Sequence, residues 1–207
     1  MVDPLRSALE AATASGGPTD EVRDELIARF GFAVPTGEAL ACVARHSPSG
    51  VVEVGAGCGY WTAALHAHGV DVVAFDPEPA PSAGNRGFAG TEPWHPVGVC
   101  DHSVVEDHPD RTLLIVWPTR DETWPAEALE RYRSAGGACV VYVGEEPGGR
   151  TGDDVFHARL GDLVTCAQCT YGVATVACIC DVAPAWRRVE SVELPHWPGC
   201  LDDLHVY

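Results

Sequence analysis

Residues 51–60, Val-Val-Glu-Val-Gly-Ala-Gly-Cys-Gly-Tyr, constrain this chain more than any other stretch. Three valines around Glu53 make a short apolar strand, and glycines then fall at positions 55, 57 and 59. Glycines at alternate positions let a chain turn sharply straight after a strand. A helix follows over 61–68 and stops at Gly69, and a second strand over 72–75 ends on Asp76. Strand, turn, helix and strand form a βαβ unit, which requires a parallel sheet with helices on its faces.

Such a turn also lets a ligand lie against the backbone, at the carboxyl ends of the strands. Dinucleotide sites use Gly-x-Gly-x-x-Gly, with the pyrophosphate on the helix N-terminus. Here Tyr60 occupies the place of the last glycine, and Gly59 comes one residue early. Glu53 is a carboxylate within a strand buried on both faces, where an unused charge is costly. Asp76 stands where a carboxylate accepts hydrogen bonds from both ribose hydroxyls. Asp76 therefore indicates a nucleoside ligand, and the glycine spacing selects S-adenosylmethionine. The expected cofactor contacts are Glu53, Gly55, Ala56, Gly57, Gly59, Tyr60, Asp76 and Pro77.

The alternation of strands and helices continues along the chain. Strands are expected over 97–100, 112–117 and 138–143, with helices over 124–134 and 153–160 and two final strands over 187–194 and 204–207. Ahead of the core, helices over 3–14, 20–30 and 36–46 make a helical cap, residues 1–46, with Thr36 as a helix N-cap. Residues 163–185 read as an irregular insert. The whole, 1–207, reads as one domain.

The formal net charge is −17, and the 13 Lys and Arg residues are scattered. Such a surface repels phosphate backbones, so nucleic acid is not the expected substrate, and a neutral or cationic small molecule, or a basic protein surface, suits it better. No apolar run nears the roughly 20 residues that span a bilayer, and no secretory signal opens the chain, so the expectation is a cytoplasmic protein without a membrane partner. Nine cysteines in such a setting do not suggest a disulfide framework. Cys42, Cys58, Cys100 and Cys139 read as small buried residues. Cys166 and Cys169, then Cys178 and Cys180, have the types and pairing for one structural zinc, with reduced thiols as the plainer alternative.

Further motifs run through the chain: Ala33-Val34-Pro35-Thr36, Glu53 to Trp61, Trp117-Pro118, Tyr142-Val143-Gly144-Glu145, Gly148-Gly149 with Asp153-Asp154 and Phe156, Leu194-Pro195-His196-Trp197-Pro198-Gly199, and Asp203 to Tyr207. With these the sequence resembles the class I S-adenosylmethionine-dependent methyltransferases, and more narrowly a bacterial and eukaryotic branch of them. The resemblance covers most of the chain from Phe32 onward. It implies a Rossmann-like α/β fold, a mostly parallel central sheet with helices on both faces, and methyl transfer from S-adenosylmethionine; the acidic surface without a basic groove makes a small-molecule acceptor, in specialised biosynthesis, the expected substrate. It also implies that an acidic residue near Asp101 contacts the adenine amino group. Phe32 stands where the branch often has tryptophan, and Thr119 where a second proline is usual.

Methyl transfer needs an aligned acceptor and, for some acceptors, a base. Glu145, after the fifth strand, and His95 and His102, which flank the third, are the candidates for that base. Trp117 is a candidate wall of the site and a further expected cofactor contact, and the 163–185 insert is expected to shape the substrate side. Two alternatives stay open: the same fold running an elimination or cyclisation on a small metabolite, or a non-catalytic binding partner. Association with itself or another protein is open too.

Overall fold

The computed structural model describes residues 20–161, 188–194 and 203–207, together with Leu5, Ser7, Ala8, Ala11 and Ala14. Among the described residues seven strands form one sheet: β1 (Val51–Val54), β2 (Val72–Asp76), β3 (Gly98–Val99), β4 (Thr112–Val116), β5 (Val140–Gly144), β6 (Glu190–Glu193) and β7 (Asp203–Val206). Their order is β3-β2-β1-β4-β5-β7-β6. The first five run parallel, and β7 enters antiparallel between β5 and β6. The order of connection reverses between β1 and β4, the point where ligands sit in open α/β sheets.

Side chains alternate across a strand, so each strand supplies both faces. Val51, Leu114, Val141 and Val143 join one apolar cluster with Cys42 and Val43 of α2 (Gly37–His46) and Trp61 and Leu65 of α3 (Tyr60–Ala67). Val52, Val54, Leu113, Ile115, Val140 and Tyr142 face the other way. They meet Leu129 and Tyr132 of α4 (Trp124–Ser134) and Phe156 and Leu160 of α5 (Asp154–Leu160). A third cluster joins Leu5, Phe30 and Val34 of the N-terminal cap to Cys58 and Tyr60 beside the glycine turn. It anchors α1 (Asp20–Phe30) over the carboxyl ends of the strands.

Local sequence explains the element ends. Thr36 Oγ1 accepts from Ala39 N at 3.1 Å and starts α2. Asp153 accepts from Phe156 N at 2.7 Å and starts α5, which stops at Gly161 in the left-handed region. Expected and observed elements differ in places. The third strand shrinks to two residues, Gly98 and Val99, paired only with Phe75 and Asp76. The fourth ends at Val116, since Trp117 turns away with φ 50°. The fifth starts at Val140 rather than 138, opposite Leu113. Among the described residues no helix is long and apolar enough to cross a membrane.

Candidate active site

A cavity of about 520 Å³ opens at the carboxyl ends of β1, β2 and β4. Its floor is the glycine turn. Gly55, Gly57 and Gly59 have φ of 70°, 57° and 71°, a left-handed run that residues with a Cβ rarely adopt. The turn is tied down on all sides. Ala56 N donates to Phe75 O at 3.1 Å, Ala80 N to Gly57 O at 3.1 Å, and Trp94 N to Cys58 O at 2.8 Å. Gly59 caps α3 in a left-handed conformation and is not among the cavity-lining residues.

Two buried carboxylates flank the turn. Asp76 is 8% exposed; its Oδ2 accepts from Gly57 N at 2.9 Å and its Oδ1 from Glu78 N at 2.8 Å. These bonds fix the plane of the carboxylate, and each oxygen keeps a second lone pair. Glu53 is 2% exposed, and its Oε2 accepts the Thr62 hydroxyl of α3. Burial, opposed by Thr62 and aided by the nearby Asp76 charge, pushes Glu53 up to about 7. Glu53 therefore stands close to neutral pH between its two states, ready to ionise fully beside a cation.

The side walls come from further elements. Asp101 caps the 3-10 helix His102–Asp107, accepting from Ser103 N at 2.9 Å, and that hydrogen bonding holds its carboxyl below the usual value. Trp117 stacks on Phe32, ring centroids 4.2 Å apart at 13°, with the Arg150 guanidinium 5.7 Å from the Trp117 centroid. An aromatic ring is thus kept at position 32 where tryptophan was the family expectation. Tyr60 lines the cavity and packs edge-on against Phe30 and Trp94.

Of the expected cofactor residues, Glu53, Gly55, Ala56, Gly57, Tyr60, Asp76, Pro77, Asp101 and Trp117 all line this one cavity. Of the expected bases, His102 lines it as well, but Glu145 and His95 do not. The His95 ring lies 5.3 Å from His66, and its Nδ1 is 3.0 Å from Pro96 O. His95 and His66 both stand outside the cavity lining, because the chain from Trp94 passes along the outer side of α3. Glu145 is buried and claimed elsewhere: Oε1 accepts from Arg150 Nε at 3.0 Å and Nη2 at 2.9 Å, and Oε2 from Arg150 N at 2.5 Å. It closes the loop after β5 instead of facing the cavity. Cys166, Cys169, Cys178, Cys180 and the 163–185 insert lie outside the described residues.

Sequence reasoning missed the rings over the glycines. A methyl group on Gly57 would lie 2.5 Å from Phe88 Cε2, and one on Gly55 would lie 2.9 Å from Trp124 Cη2. The close approach that these glycines permit is therefore made by the protein's own rings as well. Trp124 opens α4 just after β4, and a helix that starts at a strand's carboxyl end borders the crevice. That signal was present in the sequence. Phe88 had no such marker, because the loop between β2 and β3 has no periodicity.

No family model matches the chain, and no curated protein matches it by sequence. Solved structures do. Magnesium protoporphyrin IX methyltransferase (ChlM) from Synechocystis PCC 6803, with bound SAM, matches at a TM-score of 0.50 and 10% identity, covering 100% of this chain and 97% of that one. The N-methyltransferase NodS from Bradyrhizobium japonicum WM9 matches at 0.38 and 20% identity, over 82% and 93% of the two chains. MtNAS in complex with MTA and tNA matches at 0.40 and 14% identity, over 98% and 69%. The chain has the Rossmann-like fold of the class I S-adenosylmethionine-dependent methyltransferases, a seven-stranded, mostly parallel sheet with helices on both faces.

Proposed function

We propose that this chain, as one domain, is an S-adenosylmethionine-dependent methyltransferase acting on a small molecule. The observation that carries the reading is the pair of buried carboxylates, Glu53 and Asp76, on either side of a glycine turn and open to one cavity. A buried carboxylate without a ligand to meet is costly, and the fold would hold two of them within one crevice for a reason.

The donor set fits the cofactor. Asp76, held by two backbone amides, would accept the ribose hydroxyls. Glu53 would face the ammonium of the methionine part, and Asp101 the adenine amino group. Gly55, Ala56 and Gly57 would offer backbone to the cofactor, with Tyr60 and Pro77 beside them, while Gly59 would shape the turn from outside the lining. When bound, S-adenosylmethionine supplies an electrophilic methyl group on a sulfonium. This chain's own contribution is to hold the acceptor in line and to keep water out, and the Phe32–Trp117 stack is the wall suited to both tasks. With Glu145 and His95 outside the cavity, His102 is the expected base that lines it. An acceptor whose lone pair is free at neutral pH, such as a heteroaromatic nitrogen, would need no base, whereas an amine or thiol would first have to give up a proton. The acidic surface favours a neutral or cationic acceptor.

Calorimetric titration with S-adenosylmethionine and S-adenosylhomocysteine tests the reading. One site per chain is expected for each. Absence of binding to both at millimolar ligand would sink it. For a candidate acceptor, S-adenosylhomocysteine released one-for-one with product separates methyl transfer from elimination or cyclisation.

A further inference from the structure

A second group of reactive side chains lies at the other edge of the molecule. Cys42 and His46 are four residues apart on α2, so they share one helix face. Glu190 opens β6 against that face. Cys42 Sγ, His46 Nε2 and a Glu190 carboxylate oxygen all lie within 4.8 Å of one another. His46 Nε2 is 2.7 Å from Glu190 Oε2, while Arg45 Nη2 donates to Glu190 Oε1 at 2.6 Å. The His46 end of the helix is fixed, since Thr112 Oγ1 donates to His46 O at 2.9 Å. Cys42 is fully buried, whereas the side chains of His46 and Glu190 are 29% and 33% exposed, which gives an ion a route from solvent. None of the three lines the active-site cavity.

We propose that Cys42, His46 and Glu190 form a zinc site that fastens α2 to the antiparallel edge of the sheet. Thiolate, imidazole and carboxylate at ordinary zinc distances place their ligand atoms roughly 3.3–3.7 Å apart, so the three groups need to move by only about 1 Å. The thiolate and imidazole favour zinc over magnesium or calcium, which prefer all-oxygen sites. Arg45 holds Oε1 and leaves Oε2 turned toward His46, the kind of outer partner that orients a ligating carboxylate. On binding, the Cys42 thiol gives its proton to solvent and the sulfur–zinc bond forms; no electron changes hands. Three protein ligands leave a fourth position for water.

The test uses the full chain with Cys166→Ser, Cys169→Ser, Cys178→Ser and Cys180→Ser, which removes the thiolates of the other Cys-rich segment. Titration with Co²⁺ should give a thiolate-to-cobalt absorption band at one ion per chain, and Zn²⁺ should displace it. Cys42→Ser should abolish the band. Glu190→Gln and His46→Gln should keep the band but weaken binding by about 10–100-fold or more, given that even outer-shell changes cost that much. Circular dichroism checks each fold, and Glu190→Gln on the partly exposed edge keeps the test informative if Cys42→Ser does not fold. No thiolate band at a several-fold excess of Co²⁺, or undiminished binding in Glu190→Gln and His46→Gln, would overturn the proposal.

Discussion

The two halves of the parallel sheet treat buried charge in opposite ways. Around β1 and β2, Glu53 and Asp76 are buried yet face an open cavity. Glu53 has the Thr62 hydroxyl for a partner, and burial pushes it up to about 7. Around β5, Glu145 is also buried and faces the Arg150 guanidinium and backbone amide. Tyr142 Oη, 2.6 Å from Thr151 Oγ1, donates to Glu145 O at 2.7 Å, and Glu145 N donates to that Thr151 hydroxyl at 2.8 Å. One half keeps hydrogen-bonding capacity for a ligand, and the other spends it on closing a loop. Buried carboxylates at strand ends are therefore not equivalent candidates for chemistry; Glu53 and Asp76 line the cavity, whereas Glu145 lies outside it against Arg150.

The largest effect should follow from disturbing the first half at its turn. Gly57→Ala puts a methyl group 2.5 Å from Phe88 at φ 57°. The left-handed conformation alone costs about 1–2 kcal/mol, and the displaced ring adds to it. The expected outcome is a lower unfolding midpoint together with loss of S-adenosylhomocysteine binding. Full retention of affinity would show that the turn is not the ligand's floor.

Glu53 offers a pH signature. Its folded value is raised from 4.5 to about 7. Between those values the folded protein holds a proton that the unfolded chain releases. Its stabilising contribution is therefore full below pH 4.5 and is lost as pH rises through about 7. The shift corresponds to about 3 kcal/mol across that window. Glu53→Gln should remove this fall, seen as a flatter pH dependence in urea unfolding. A ligand ammonium beside Glu53 favours its charged form, so affinity should climb as pH rises through about 7, and binding below that should release a proton. Calorimetry in buffers of different ionisation enthalpy measures this release.

In the second half, Glu145→Gln should cost stability, by about 2 kcal/mol for the lost charge-assisted bonds from Arg150. With Glu145 outside the cavity, kcat for an identified acceptor should be unchanged once folding is accounted for. A large fall in kcat in a fully folded variant would restore Glu145 as a base. The smallest change is Thr36→Ala, which removes the cap of α2 and should cost about 1 kcal/mol while leaving cofactor affinity intact. A melt and a titration on the same sample check both.

Much of the first half was legible in the sequence. The valine strand, the glycine spacing and the strand-terminal Asp76 are local signals within one short stretch, residues 51–76. Local signals also set the order of elements, down to Thr36 as a cap. The second half was misread at Glu145, because position after a strand says nothing about whether Arg150 will fold back onto it. His95 failed for a related reason: it lies near β3 in sequence, but the chain there runs along the outside of α3 toward His66. Phe88 was missed because its approach to Gly57 is a tertiary contact between distant segments, whereas Trp124, at the start of the helix after β4, had a signal in the sequence that went unread. Cys42 read as an ordinary buried thiol, and its neighbours His46 and Glu190 came together only through α2 packing on the sheet edge.

The contrast between the halves is tested most directly by titrating Asp76→Ala and Glu145→Gln side by side with S-adenosylhomocysteine. Both remove a buried carboxylate that accepts backbone hydrogen bonds. Asp76→Ala should weaken binding by about 1–3 kcal/mol, roughly 5- to 150-fold, as expected for lost buried bonds to the ligand. Glu145→Gln should bind within about twofold of the unaltered chain, since changes away from a ligand alter affinity by no more than a few tenths of a kcal/mol. Equal losses in the two variants, or a loss confined to Glu145→Gln, would contradict the division of the sheet into a ligand half and a structural half.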